Sequence, residues 1–377
     1  MSGFFPDIRA AEGALQQEAF TRWQAMGDLR RREHWRWTPL DALRDDARRS
    51  EGADYQFDLP DAIGEDFGTF TEADRALLAL DDAAFAALNL ALLPDALQLT
   101  VPDGADLDAI AALNIDLLAR RLQTSRIHIR AGKNSRSAFW IDYRASRSGA
   151  QLPVITVNAE DGAQIDIALW FHGDAGTAQV AQAAVQQATD SRVCINALQA
   201  GGDLLRLDIH SELHGEGTHF AFGGVQLLTG KQTGDYHLNV RHLTENSESH
   251  QRVRGALDDA ALGIFDGMIY VAHGAQKTDA RQDSRYILLS DSARSHSVPR
   301  LEIYADDVQC AHGSTTGKVD EEALFYLRSR GIGYEAARKM LILSFLHEAV
   351  VVEHQTLADA VHQTISDIWL GDDEAAA

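Results

Sequence analysis

From Arg126 onward, hydrophobic and polar residues alternate in short runs separated by Gly, Asp, Asn and Ser, the period-two pattern of half-buried strands. Strand-like runs begin near Ile127, Ala138, Val154, Ile165, Arg192 and Leu205, and again near His219, Tyr236, Arg252, Met268, Arg285 and Leu301. From Leu205 the starts recur about every 14 to 17 residues, with no helical segment between them. Consecutive parallel strands of an ordinary sheet need a crossover helix. Its absence leaves two architectures, an antiparallel sandwich or a solenoid of stacked coils. Hairpin dipeptides such as Asn-Gly are missing between most of the runs, whereas single glycines recur at expected corners (Gly217, Gly223, Gly234, Gly255 and Gly267). The pattern predicts a β-solenoid over residues 126–316. Each coil buries one face, with Leu205, Leu207 and Ile209 inward in one and Leu238 and Val240 in another.

The flanks read differently. Residues 1–125 are expected to form a helical domain: Ile8 to Arg32, Glu72 to Leu93 and Leu107 to Leu122 carry apolar residues at helical spacing, and 44–75 is an acidic loop. Trp35 and Trp37 anchor a small core there. Residues 317–377 form a second helical domain. In it Tyr334 to Glu353 puts Ala337, Leu341 and Phe345 on one stripe, and Leu357, Val361, Ile365 and Ile368 form another. Thr356 with Asp359 resembles a capping box, and Gly371 to Ala377 is an irregular tail. A solenoid has open ends that must be covered, and these helices are expected to cap them.

The junction at Leu301 to Ile332 (LEIYADDVQCAHGSTTGKVDEEALFYLRSRGI) holds the candidate chemistry. Leu301, Ile303 and Ala305 alternate with Glu302, Tyr304 and Asp306; Asp306-Asp307 then marks a tight turn. Val308, Cys310 and His312 share the next parity, which aims a thiol and an imidazole, both suited to iron, from one strand face. Gly313 to Gly317 reads as a turn-rich connection, Asp320 as a helix N-cap and Gly331 as the glycine that ends that helix.

This junction resembles the signature of the SufB/SufD family of iron–sulfur cluster assembly proteins, and its SufD branch most, through Leu301 to Asp307, Cys310, His312-Gly313 and Leu324 to Ile332. Arg254 to Gly267, Ala275 to Gln282, and Glu33 with Trp35 and Trp37 are similar to further family runs. The resemblance implies a mainly β protein, a right-handed parallel β-helix core between helical ends. It implies a non-catalytic scaffold subunit of a SufB–SufC–SufD complex, paired with SufB along the strand around residues 301–312. The C-terminal helices would dock the ATPase SufC. It points to His312 as a ligand of a transient iron–sulfur cluster shared with SufB, with Cys310 the weaker candidate. A homodimer in the absence of SufB is left open.

Composition narrows the alternatives. A net charge of −22 opposes nucleic-acid binding, because a phosphate backbone would repel it. No apolar run approaches the roughly 18 residues of a spanning helix. MSGFFPDIRAAEG has neither a basic start nor an apolar stretch, so a cytoplasmic protein is expected. The two cysteines, Cys194 and Cys310, cannot supply the four thiolates that usually hold a cluster, so no permanent cluster is expected on the chain alone. No P-loop is present: Gly224 to Lys231 is followed by Gln232, and Gly313 to Lys318 is too short. His210, Glu212 and His214 share a strand face as a zinc-like trio or a solvated polar face, while His237, His242 and His250 form no motif. Gln276, Thr278 and Gln282 suit stacked polar rows at coil turns, and Cys194 reads as structural. Two rivals remain. A SufB-type paralogue would typically be longer and carry an N-terminal cysteine cluster; a β-helical carbohydrate-active enzyme would need an export signal and paired acids, for which Asp306-Asp307 is poorly placed.

Overall fold

Strands of mostly ten residues repeat along the chain in the computed structural model, which describes residues 10–43, 50–69, 83–93, 95–117, 121–146 and 148–371. Three short strands come first: β1 (Ser50–Gly52), β2 (Gln56–Asp58) and β3 (Gly64–Thr69). The stack opens with β4 (Asp95–Val101), β5 (Asp106–Leu117), β6 (Leu122–Ala131), β7 (Arg136–Ala145), β8 (Ala150–Ala159) and β9 (Gln164–Gly173). It continues through β10 (Ala178–Gln187), β11 (Arg192–Gly201), β12 (Leu204–Leu213), β13 (His219–Leu228) and β14 (Thr233–His242). It ends with β15 (Glu248–Leu257), β16 (Leu262–Val271), β17 (Asp279–Leu288), β18 (Arg294–Ile303) and β19 (Gln309–Gly317).

Even-numbered strands from β4 to β18 form one sheet in sequence order, and odd-numbered strands from β5 to β19 form the other. Neighbours within these runs pair in parallel; Leu204, for example, meets Thr233, which meets Leu262. Each coil therefore passes once through each sheet. The spacing of strand starts read from the sequence is half a coil, and no crossover helix is needed. This is the expected β-solenoid. At its first end β3 runs antiparallel to β4 and β2 antiparallel to β5. At its other end β18 and β19 each keep one unpaired edge among the described residues.

The interior is a column of aliphatic and aromatic side chains that includes Leu205, Leu207, Ile209, Leu238 and Val240, as expected. Polar rungs run through it. Gln179 Nε2 donates to Gln151 Oε1 at 2.5 Å, and Gln151 Nε2 to Gln123 Oε1 at 2.8 Å, so buried amides satisfy one another from coil to coil. Gln282 donates to Gln251 in the same way. One corner is a stack of left-handed residues, Asn134, Gly162, Asp190, Gly217, Asn246 and Lys277. At all of these but Gly162, which Ala163 follows, the hydroxyl of the next residue (Thr278 in the last case) donates back to the carbonyl three positions earlier. Of the five glycines expected at corners, Gly217 alone is there. Gly223, Gly234, Gly255 and Gly267 lie inside strands, where close neighbours exclude a side chain; a Cβ on Gly255 would sit 2.4 Å from the Tyr286 ring.

The flanking helices are α1 (Ala14–Ala25), α2 (Ala84–Leu92), α3 (Glu321–Ser329), α4 (Tyr334–His347) and α5 (Gln355–Leu370). They lie along the sides of the solenoid. α1 and α2 cover the outer face of the even sheet at Leu122, Leu152, Val180 and Leu204. α4 and α5 cover the outer face of the odd sheet at Ala168, Leu198, Ala221 and Val225. The expected end caps are thus side covers, because the outer faces carry apolar patches that have to be buried. Among the described residues no helix is long and apolar enough to cross a membrane.

Several local expectations change. Leu107 to Leu117 is strand within β5 and Leu122 opens β6, residues 118–120 lying outside those described: the period of two in Ala111, Leu113, Ile115 and Leu117 outweighs a helix-favouring composition. Ala178 to Gln187, rich in Ala and Gln and placed in no expected strand, is β10. Residues 44–75 contain β1 to β3, and Gly313 to Gly317 extends β19 instead of forming a turn. Among the described residues, Ile8 to Arg32 keeps α-helix over α1, followed by a 3₁₀ turn at Leu29–Arg31, and Glu72 to Leu93 keeps it over α2; residues 8–9 and 72–82 lie outside those described. The tail beyond Gly371 also lies outside the described residues. In α4 the buried stripe keeps Ala337 as expected, but then runs through Ile342 and Leu346, each one position beyond the expected Leu341 and Phe345. α5 is capped by His354, whose ring accepts from Leu357 N, and the expected Thr356 box does not form. Asp320 caps α3 as expected, accepting from Glu322 N and Ala323 N, and Gly331 follows at φ 89.

Candidate functional site

Cys310 and His312 lie on β19, the last strand of the odd sheet, after a bend at Asp306-Asp307. Register sets their direction. Cys310 pairs with Ala280 and His312 with Gln282, and both partners are buried in the solenoid. The two side chains therefore belong to the final interior layer, on which no further coil stacks. Cys310 is half-buried against Ala280, Ala305 and Val308, and His312 is exposed. Burial raises the Cys310 thiol above its ordinary pKa, and the nearby Asp279 carboxylate adds to that. A cation at this end would reverse both effects. Main-chain groups of β18 and β19 are unpaired along the same rim, and Ser295 and Thr316 hydroxyls join the two strands at 2.7 Å.

The C-terminal segment is fastened to the odd sheet by polar side chains aimed at its backbone. Fully buried Asn196 donates to Ala349 O at 2.8 Å and accepts from Val351 N and Val352 N. Asp166 accepts from Glu353 N and His354 N. Gly223 leaves room for Ala349 O, which a Cβ there would approach to 1.9 Å. Buried Arg254 bridges Asp283 at 2.7 Å and Glu348 at 2.9 Å. None of these contacts was evident from the sequence. Their inner faces thus fixed, the C-terminal helices turn Phe325, Tyr326, Tyr334 and Met340 outward, Phe325 being 73% exposed.

Other sequence candidates resolve into ion pairs. Glu212 bridges His210 at 3.3 Å and His214 at 3.1 Å; the His210 hydrogen bond holds its carboxyl at about 2. His242 is buried between Ser247 and Ser249. His237 bonds Asp235 at 2.8 Å in a cavity of about 570 Å³ on the even sheet, next to His34 and Asp266. Arg300 donates to both Asp266 and His34 there, so a cation already serves that cluster. Beside it Arg206 lies 3.6 Å over the buried Trp35 ring and bonds Asp235, and Trp37 stacks on His296. Burial alone would raise Asp235, but His237 and Arg206 outweigh it and hold the carboxyl at about 2. The tryptophan run is thus an anchor for the N-terminal segment.

A sequence model described as "SUF system FeS cluster assembly, SufBD core domain" matches residues 115–345, more than half of the chain. The chain belongs to the SufB/SufD family. It is 34% identical to the iron–sulfur cluster assembly protein SufD of Escherichia coli K12 over 161 residues, 43% of this chain and 38% of that protein. It is 36% identical to SufD of Bacillus subtilis over 158 residues, 42% of this chain and 36% of the relative. With the SufBD family protein slr0076 of Synechocystis the identity is 32% over 169 residues, 45% and 37% of the two chains. The chain spans less than two fifths of the length of each of these relatives. The SufBD core match runs from within β5 to α4, so it takes in both the open end with Cys310 and His312 and the first C-terminal helices.

Proposed function

We propose that this chain is a SufD-type scaffold subunit of a SufB–SufC–SufD assembly, and that it builds nascent iron–sulfur clusters jointly with SufB without performing catalysis itself. The observation that carries this reading is the open end: unpaired strand edges and the pair Cys310 and His312 occur together on the last coil. An edge of this kind accepts a partner's strand through main-chain hydrogen bonds. Two donors fall short of the four a cluster usually takes, which supports a transient cluster completed by SufB residues across the joint. His312, the more exposed of the two, is the principal ligand, and Cys310 is secondary. Without SufB the same edge can pair with a second copy of the chain. The exposed row of Phe325, Tyr326, Tyr334 and Met340 supports docking of SufC on α3 and α4, and ATP hydrolysis belongs to that partner. Cytoplasmic placement follows from that role.

The test is co-production with SufB and SufC, followed by iron and sulfide content of the purified complex. His312→Ala is expected to lower cluster loading more than Cys310→Ser, with both complexes intact. Normal iron loading of the His312→Ala complex would overturn the assignment, and loss of the complex would make His312 a packing residue.

A further inference from the structure

We propose that Cys194, His219 and Glu353 form a divalent-metal site that fastens the segment between α4 and α5 to the outer face of the odd sheet. β11 and β13 are neighbours in that sheet. Arg192 pairs with His219 and Cys194 with Ala221, so Cys194 and His219 share a face two register positions apart. Glu353 reaches them from the linker that Asp166 holds by its backbone. One ligand atom from each of the three lies within 4.8 Å of the others.

The donor set is a thiolate, an imidazole and a carboxylate, the mixture that suits a borderline ion such as Zn²⁺ with one position left for water. The supporting groups are in place. Glu248 approaches His219 Nδ1 at 3.4 Å, leaving Nε2 to an ion. Arg192 bonds one Glu353 oxygen at 2.8 Å and leaves the second. Burial holds the Cys194 thiol well above its ordinary pKa, and the Asp166 and Glu353 carboxylates add to that against Arg192. The carboxylates of Glu353, Asp166 and Glu248 thus surround the thiol and imidazole against a single guanidinium, a balance that a divalent cation improves. As the sulfur–metal bond forms, the thiol proton passes to solvent, so affinity rises with pH. Cys194 is fully buried, His219 half-buried and Glu353 exposed, so an ion enters from the Glu353 side. The His34, His237 and Asp266 cluster differs because Arg300 occupies it. This site lies on the flank, on strands other than the one that carries Cys310 and His312.

The test uses the full chain, stripped with a chelator and titrated with Co²⁺ and then Zn²⁺. One equivalent of Co²⁺ is expected to give a thiolate-to-cobalt charge-transfer band that Cys194→Ser abolishes and Cys310→Ser retains. Glu353→Gln, at an exposed position, is expected to weaken Zn²⁺ binding at least about tenfold, as loss of a direct ligand should exceed most outer-shell changes. The melting temperature of the native chain should rise with Zn²⁺, and that of Glu353→Gln should rise less at the same Zn²⁺ concentration. No thiolate band in the native chain, or a band that survives in Cys194→Ser, overturns the site. If Cys194→Ser does not fold, His219→Gln and Glu353→Gln decide: native affinity in both is the overturning result.

Discussion

Replacing Asn196 with alanine removes four hydrogen bonds at a point where two distant parts of the chain meet. Three of them go to the backbone of residues 349–352. Ala349 and Val352 are buried, so Ala349 O and Val352 N are left without partners in a dry site, whereas Val351 is partly exposed and can take water. An orphaned buried group costs about 1–3 kcal/mol, which puts the loss for the pair at about 3 kcal/mol after some relaxation of the segment. That loss falls on the docking of α4 and α5; the fourth bond, to Gly223 O on β13, only supplements a strand ladder that stays whole without it. Hydrogen exchange read by mass spectrometry should therefore show amides of residues 334–370 exchanging on the order of 100-fold faster, with the strands of both sheets unchanged. Gly223→Ala should act in the same direction, since its Cβ would meet a backbone oxygen that has nowhere to yield. Native exchange in α4 and α5 of Asn196→Ala would refute the reasoning. So would uniformly faster exchange across both sheets, which would make Asn196 a support of the whole solenoid.

Burial lowers the His242 pKa to about 4 from an ordinary 6.5. The unfolded chain therefore takes up a proton that the folded one refuses, and stability is lost as pH falls from about 6.5 to about 4, by about 3 kcal/mol in all. His242→Gln should flatten that stretch of a urea-midpoint profile against pH; a profile identical to the native one would refute it. Phe325→Asp, at a position 73% exposed, should weaken SufC binding at least about tenfold in calorimetry and leave the melting temperature unchanged. Undiminished binding would move the docking surface elsewhere. Removing residues 318–370 outright is a poorer experiment, because it would bare the apolar outer face of the odd sheet at Leu198, Ala221 and Val225.

The solenoid was legible because each strand carries its own alternation and because crossover helices, had they existed, would have shown as long apolar periods. β5 and β10 were not, since Ala, Leu and Gln favour helix in isolation and the stack of neighbouring coils overrides that preference. Cys310 and His312 stood out from their shared parity, and the register on Ala280 and Gln282 agrees with it. The side-on packing of the C-terminal helices was hidden for another reason. Its determinants are pairs 153 to 188 residues apart, Asn196 with Ala349 and Asp166 with His354, and a buried Asn or Asp in a strand pattern does not reveal what it will bind. The same distance conceals Cys194: alone it is an ordinary buried thiol, and only the fold brings His219 and Glu353 to it.

Because α4 and α5 are bolted to the middle of the odd sheet, the C-terminal helices and the last coil are joined by a stiff beam. From β13 to β19 there are three strand spacings of about 4.8 Å, roughly 15 Å of continuous hydrogen-bonded ladder with glutamine rungs inside. A ladder of this kind resists shear between rungs, since sliding one strand would break its whole register at once. A torque applied to α3 and α4 is therefore delivered to Cys310 and His312 as rotation of a rigid arm, with little local deformation on the way. The rim carrying these two residues would swing relative to whatever faces it, opening or closing a gap without any change in the fold of the arm itself.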